Sequence, residues 1–226
     1  GHRTKVAVSS IDSRVDAVGA CVGIRGSRIR NIVEEVAGEK IDIVRYNESP
    51  QVFIAEALKP AQVQEVLLNR EINRATVLVA EDQLSLAIGK KGQNVRLAAR
   101  LSGWNIDIMT REEFGHQRDD CLEQLASLEI VGPDLAAEIV DAGYISLADV
   151  AEVDPDLLAS ALDLEPDRTR EIVQQAGLLL TELERQAAAE AQAPAEPEPE
   201  AAPEGEGEEP SDVEAEAEGT TAPEEA

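Results

Sequence analysis

The first half of the chain mixes two hydrophobic periods, and the second half keeps only one. Short β-rich runs stand at Lys5–Val8, Ile41–Val44, Val63–Leu68, Ala75–Ala80 and Asn105–Met109. These lengths, rich in Val, Ile and Leu, predict strands. Between them, Ile29, Ile32, Val33 and Val36 follow the i, i+3, i+4, i+7 spacing of one apolar helix face. A further helix is predicted around Gln51–Leu58. Residues 119–186 show no strand pattern and read as all-helical. There, Val131-Gly132-Pro133 marks a hairpin between helices, and Ser146 to Asp149 has the spacing of a capping box. Asp154-Pro155 reads as an N-cap followed by proline at the first helical position. A last helix is predicted from about Asp167 to Gln186. From Ala187 onward the residues are almost only Ala, Glu, Pro and Gly, which cannot form a core, so 187–226 reads as a disordered acidic tail.

Part of this pattern repeats. "DAVGACVGIRGSRIRNIVEEVAGEKIDI" (Asp16–Ile43) and "DQLSLAIGKKGQNVRLAARLSGWNIDI" (Asp82–Ile108) share one layout. An aspartate stands seven positions before the first glycine of a Gly-x-x-Gly, and Ile-Asp-Ile begins 15 or 14 positions after the second. A shared period implies a shared structural unit. Asp16 and Asp82 read as helix N-caps, and Gly38 and Gly103 as helix ends. The second copy reads α-β-β-α-α-β. The first lacks the residues that would supply its opening helix and strand, so the chain reads as starting inside a domain, with Lys5–Val8 short of a strand partner. The fold class expected is α+β, with units at 1–47, 48–112 and 119–186 before the tail at 187–226.

Charge separates the halves further. The net charge is −26. Residues 1–118 hold 17 Lys/Arg against 15 Asp/Glu, residues 119–186 hold 3 against 17, and residues 187–226 hold none against 14. A near-neutral part beside a strongly acidic one suggests a nucleic-acid binder carrying an acidic interaction module. Cys21 and Cys121 lie far apart, and with only His2 and His116 beside them they form no metal-ligand spacing. A reduced, cytoplasmic setting follows as the default. No run reaches the roughly 18 apolar residues of a membrane helix.

The Gly-x-x-Gly turns carry the candidate chemistry. Helix, Gly-x-x-Gly and helix in succession is the signature of the KH module, whose loop clamps the backbone of a single strand. Glycines permit close approach of the nucleic-acid backbone. The helix that follows offers free N–H groups and partial positive charge to phosphate. The candidate RNA contacts are Gly23, Ile24, Arg25, Gly26, Arg28 and Arg30 in the first copy. In the second they are Gly89, Lys90, Lys91, Gly92, Gln93, Arg96 and Arg100. Gln93, Arg96 and Arg100 share one helix face. The first turn has one charge and an isoleucine, so its contribution is expected to be weaker. A Rossmann phosphate loop does not fit, because a helix and not a strand precedes each turn. Trp104 and Cys21 read as core residues. Asp42 and Asp107 read as alternating strand positions and not as an acid–base pair.

Over roughly Arg3 to Ile108 the two quoted stretches resemble the tandem KH region of the NusA family of bacterial transcription termination/antitermination factors. The resemblance implies type II KH folds and binding of single-stranded nascent RNA. It also implies association with RNA polymerase and other elongation and antitermination factors, with no catalysis and no cofactor. Members of that family carry a polymerase-binding domain and an OB-fold before the KH pair, so this chain reads as a C-terminal fragment; a monomer is expected. The segment "IVGPDLA" resembles a helix-hairpin-helix, and NusA proteins include acidic repeats of that kind that serve protein contacts. Two alternatives use the same motifs: a helix-hairpin-helix DNA-repair fragment and a KH protein of ribosome assembly. The acidic half is further expected to cover the KH surface and weaken RNA binding.

Overall fold

The computed structural model describes residues 2–192. The first unit comprises β1 (Arg3–Val8), α1 (Ala17–Val22), a single 3₁₀ turn (Ile24–Gly26), α2 (Ser27–Glu35) and β2 (Lys40–Arg45). β1 runs parallel to β2, in register from Arg3 opposite Lys40 to Val8 opposite Arg45. Among the described residues β2 is its one neighbour, so β1 has no counterpart of the antiparallel strand that the second sheet carries. Parallel neighbours need a long crossover, and α1–α2 supplies it. The second unit follows with α3 (Pro50–Leu58), β3 (Val63–Asn69), β4 (Arg74–Val79), α4 (Glu81–Ile88), a 3₁₀ turn (Lys90–Gly92), α5 (Gln93–Ser102) and β5 (Asn105–Met109). Its sheet order is β3-β4-β5, with β3 antiparallel and β5 parallel to the central strand. The two units form the two KH folds of an α+β region. Asp16 caps α1 by accepting from the Gly19 N–H. Asp82 does not cap α4. Ala80 holds that place, and Asp82 lies in the first turn, where a carboxylate complements the helix dipole.

Five helices complete the described chain: α6 (Arg111–Ala126), α7 (Gly132–Asp141), α8 (Leu147–Glu152), α9 (Pro155–Leu162) and α10 (Pro166–Gln192). Capping boxes start α6 at Thr110 and α8 at Ser146, and Asp154-Pro155 starts α9. Leu125, Ile139, Tyr144, Val150, Leu158 and Ile172 are fully buried in the core of this unit. α10 continues through Gln192, past Ala187 where the sequence suggests the tail begins. The remainder of the expected tail lies outside the described residues.

Strand alternation explains how the units stack. Ala75, Val77 and Val79 of β4 join Phe53, Ile54, Leu58, Ala87 and Ala98 in the core beneath α3, α4 and α5. Arg74, Thr76 and Leu78 point to the other face, and the helical unit covers that face. Arg74 pairs with Asp149, whose side chain is 0% exposed, and with Asp107 at 3.5 Å. The Asn69 amide donates to the Gly143 carbonyl at 3.1 Å, and Ile72 packs on the helical core. The first unit repeats the logic. Its β1 and β2 turn Ala7 and Val44 toward the core of the second unit. On that same face Asp42 accepts from Arg3 at 2.7 Å and from Lys5 at 3.3 Å. The aspartate of each Ile-Asp-Ile thus belongs to an ion pair on the sheet face that meets the next unit. In this arrangement residues 119–186 meet the KH region on a sheet face away from the turns. They dock on the opposite side of the sheet, because that face carries the unpaired apolar Leu78 and the Arg74 charge.

Among the described residues the first unit has no counterpart of α3. Val6, Val8, Ile29, Ile32, Ile41 and Ile43 line an open apolar groove with Cys21. α3 covers the corresponding surface in the second unit. Cys21 is accordingly half-exposed, against the expected burial, and Ile32 and Val36 are exposed.

Candidate nucleic-acid interface

The two turns have one backbone. Gly23, Arg25 and Gly26 have φ/ψ of 75/173, 54/28 and 74/18°. Gly89, Lys91 and Gly92 have 74/172, 54/32 and 70/19°. Arg25 and Lys91 are held in the left-handed region, which costs a side-chain-bearing residue about 1–2 kcal/mol. Strain of this kind gathers where geometry serves function. The first glycine of each turn is required by contact as well as by φ. A Cβ on Gly23 would lie 2.8 Å from Arg28 Cγ, and one on Gly89 would lie 2.8 Å from Asn94 Cβ. The second glycines, Gly26 and Gly92, are the N-caps of α2 and α5 and offer no side-chain cap. The N–H groups of Ser27 and Gln93, the first of each helix, are bonded to the carbonyls of Ile24 and Lys90, so an anion at either helix start would meet the partial positive charge of the helix and not these donors.

Each turn points its middle residues outward. Ile24 is 86% exposed, and Arg25, Lys90 and Lys91 are exposed beside it or its counterpart. Arg96 and Arg100 are exposed on α5, and Gln93 is half-buried at its start. The second unit therefore brings four cations to the turn and the helix behind it. The first unit is poorer, since Glu34 takes the place of Arg100. Two of its predicted contacts are turned inward on their own backbone. Arg30 donates to the carbonyls of Arg25 at 2.7 Å and Gly26 at 3.3 Å, so it braces the turn. Arg28 donates to the Ala20 carbonyl at 2.6 Å, at the end of α1.

One residue of this region escaped the sequence reading. Asn94 is 5% exposed. Its amide donates to the carbonyls of Leu58 and Ala87, each at 3.0 Å, joining the ends of α3 and α4 to the start of α5. The available signal was its offset, five positions after Gly89, matching Arg28 after Gly23. Trp104 packs half-buried against the core of the second unit.

Electrostatic shifts concentrate at the unit junctions. Burial works to raise the Asp42 carboxyl, but hydrogen bonds and charge from Arg3 and Lys5 hold it below its ordinary value. Burial lowers Lys5 despite Asp42. Burial raises Asp149 against the pull of Arg74 and Ser146. Burial pushes Cys121 and Tyr144 up to about 12 each. Among the described residues no group of three or more His, Cys, Asp or Glu could hold a metal ion. None of the described helices is long and apolar enough to cross a membrane.

Residues 1–46 match the NusA-like first KH domain and residues 50–116 the NusA-like second KH domain. The transcription termination/antitermination protein NusA of Halalkalibacterium halodurans is 53% identical over 113 residues, 50% of this chain and 30% of that protein. That of Borreliella burgdorferi is 39% identical over 164 residues, 71% of this chain and 34% of that protein. That of Rickettsia conorii is 36% identical over 187 residues, 78% and 36%. The chain spans about a third of the length of these relatives. With both KH units matched in sequence and present in the fold, the chain belongs to the NusA family.

Proposed function

We propose that this chain binds single-stranded nascent RNA through its two Gly-x-x-Gly turns and serves control of transcription elongation, termination and antitermination. The observation that carries the reading is the second turn. Exposed Lys90 and Lys91 sit between two positive-φ glycines at an uncapped helix start, with Arg96 and Arg100 on the same helix. Phosphate there would meet full charges together with the partial positive charge of the helix start. The relatives, each a transcription termination/antitermination protein by name, support the cellular role. RNA polymerase and other elongation factors are the protein partners this role requires, in the cytoplasm, with the chain acting as a monomer and without catalysis or cofactor.

Duplex DNA binding by the α6–α7 hairpin is the competing use of the fold. The hairpin carries Asp134 in the first turn of α7, and residues 119–186 hold 17 acidic against 3 basic residues, a field that repels phosphate. Fluorescence anisotropy against single-stranded RNA and duplex DNA separates the two. RNA binding that is lost in Lys90→Asp/Lys91→Asp supports the proposal. Duplex DNA binding unaffected by that double change would favour the hairpin.

A further inference from the structure

We infer that the residue five positions after the first glycine of each turn, Arg28 and Asn94, is a positioning residue that fixes the aim of the turn and touches no RNA. The inference builds on the proposed RNA site. Sequence logic places Arg28 among the cations that meet phosphate. The structure gives its guanidinium another partner, the Ala20 carbonyl in α1, at 2.6 Å. In the repeat Ala20 corresponds to Leu86, 66 positions on. The Asn94 amide reaches that same carbonyl at 3.5 Å and its neighbour, Ala87, at 3.0 Å. Two chemically different side chains therefore do one job from one place. Each donates into the open carbonyls at the end of the helix before the turn, which have no intrahelical donor.

The same residue also walls the turn from below. Each first glycine faces it so closely that an added Cβ would stand 2.8 Å from its side chain and about 3 Å from its backbone nitrogen. The helix end, the glycine and the following helix are thus fixed relative to one another by one side chain. Lys91 and Arg25, in their strained left-handed conformation, ride on that clamp. Burial differs between the copies for a plain reason. Asn94 also binds the Leu58 carbonyl of α3 and is enclosed. Among the described residues no such helix lies over Arg28, which is exposed, so a longer side chain is accommodated there.

The shared backbone makes an exchange experiment decisive. An asparagine at position 28 starts from the φ/ψ frame that lets Asn94 reach its carbonyls, so it keeps the clamp while removing the charge. In the full chain, amide resonances of Gly23 and Gly26 report the turn without any RNA, with Gly89 and Gly92 as internal controls. Arg28→Ala is expected to move the Gly23 and Gly26 resonances and to weaken single-stranded RNA binding about three- to tenfold, the worth of one hydrogen bond. Arg28→Asn is expected to restore both, with the parent's dependence on salt. Asn94→Ala should move Gly89 and Gly92 in the same way; if that buried change prevents folding, the exposed Arg28 pair decides alone. Unmoved Gly23 and Gly26 in Arg28→Ala would overturn the inference. So would an Arg28→Asn chain as weak as Arg28→Ala with a log–log salt slope shallower by about 0.7, which makes Arg28 a phosphate contact. If the parent binds no RNA, the proposed function fails, while the glycine resonances still decide the clamp.

Discussion

At the scale of single residues, the cations of the two turns divide into those that face solvent and those that brace the backbone. The side chains of Lys90 and Lys91 are exposed, and their turn is closed by backbone bonds. Lys90→Asp/Lys91→Asp should therefore weaken RNA binding more than about tenfold, since charge-assisted contacts are each worth about 1.5–3 kcal/mol, while the thermal midpoint stays within a few degrees. A filter-binding titration beside a melting curve checks both halves. Arg25→Asp should cost less, because its unit presents fewer free cations. The glycines made these turns legible in sequence, since few other residues tolerate such backbone angles. The inward roles of Arg28 and Arg30 were hidden, because a basic residue beside a phosphate-type turn looks the same whether it points out or folds back.

At the scale of elements, the junction between β4 and the helical unit rests on Arg74. Removing it in Arg74→Ala leaves the Asp149 carboxylate buried without a counter-charge, a change that costs about 3–5 kcal/mol when both partners are buried and less here, because Arg74 is partly exposed. Urea unfolding should show that loss. The pH dependence has a defined sign. Burial holds the Asp149 pKa above its unfolded value of 3.8. Its protonated form is therefore favoured by folding, and the stability this contributes is present below 3.8 and lost as pH rises through the folded value. The difference in stability between the parent and Asp149→Asn, which keeps a capping acceptor, should shift over that window in favour of the variant. A difference independent of pH there would contradict the assignment. None of this was readable beforehand. The periods of 2 and 3.6 gave the elements, but which face of a two-sided strand meets a later helix depends on residues 74 positions away, as with Asn69 and Gly143.

At the scale of the molecule, three units stack so that each KH sheet turns its open face to the next unit. Acidic residues gather in the helical unit, on the far side of the second sheet from the turns. A chain ending near Arg118 should then bind RNA about as well as the full chain at physiological salt, where the Debye length is only about 8 Å. It should be less stable, because Thr76 and Leu78 lose their cover. Clearly tighter RNA binding by the shortened chain would instead support direct masking. The central claim, that two lysines on one turn bind phosphate, is tested most directly by the salt dependence of single-stranded RNA affinity in the parent and in Lys90→Ala/Lys91→Ala. Each phosphate contact on a single strand contributes about 0.7 to the log–log slope. The account predicts a steep parent slope that becomes shallower by roughly 1.4 in the double variant; equal slopes and equal affinities in the two chains would contradict it.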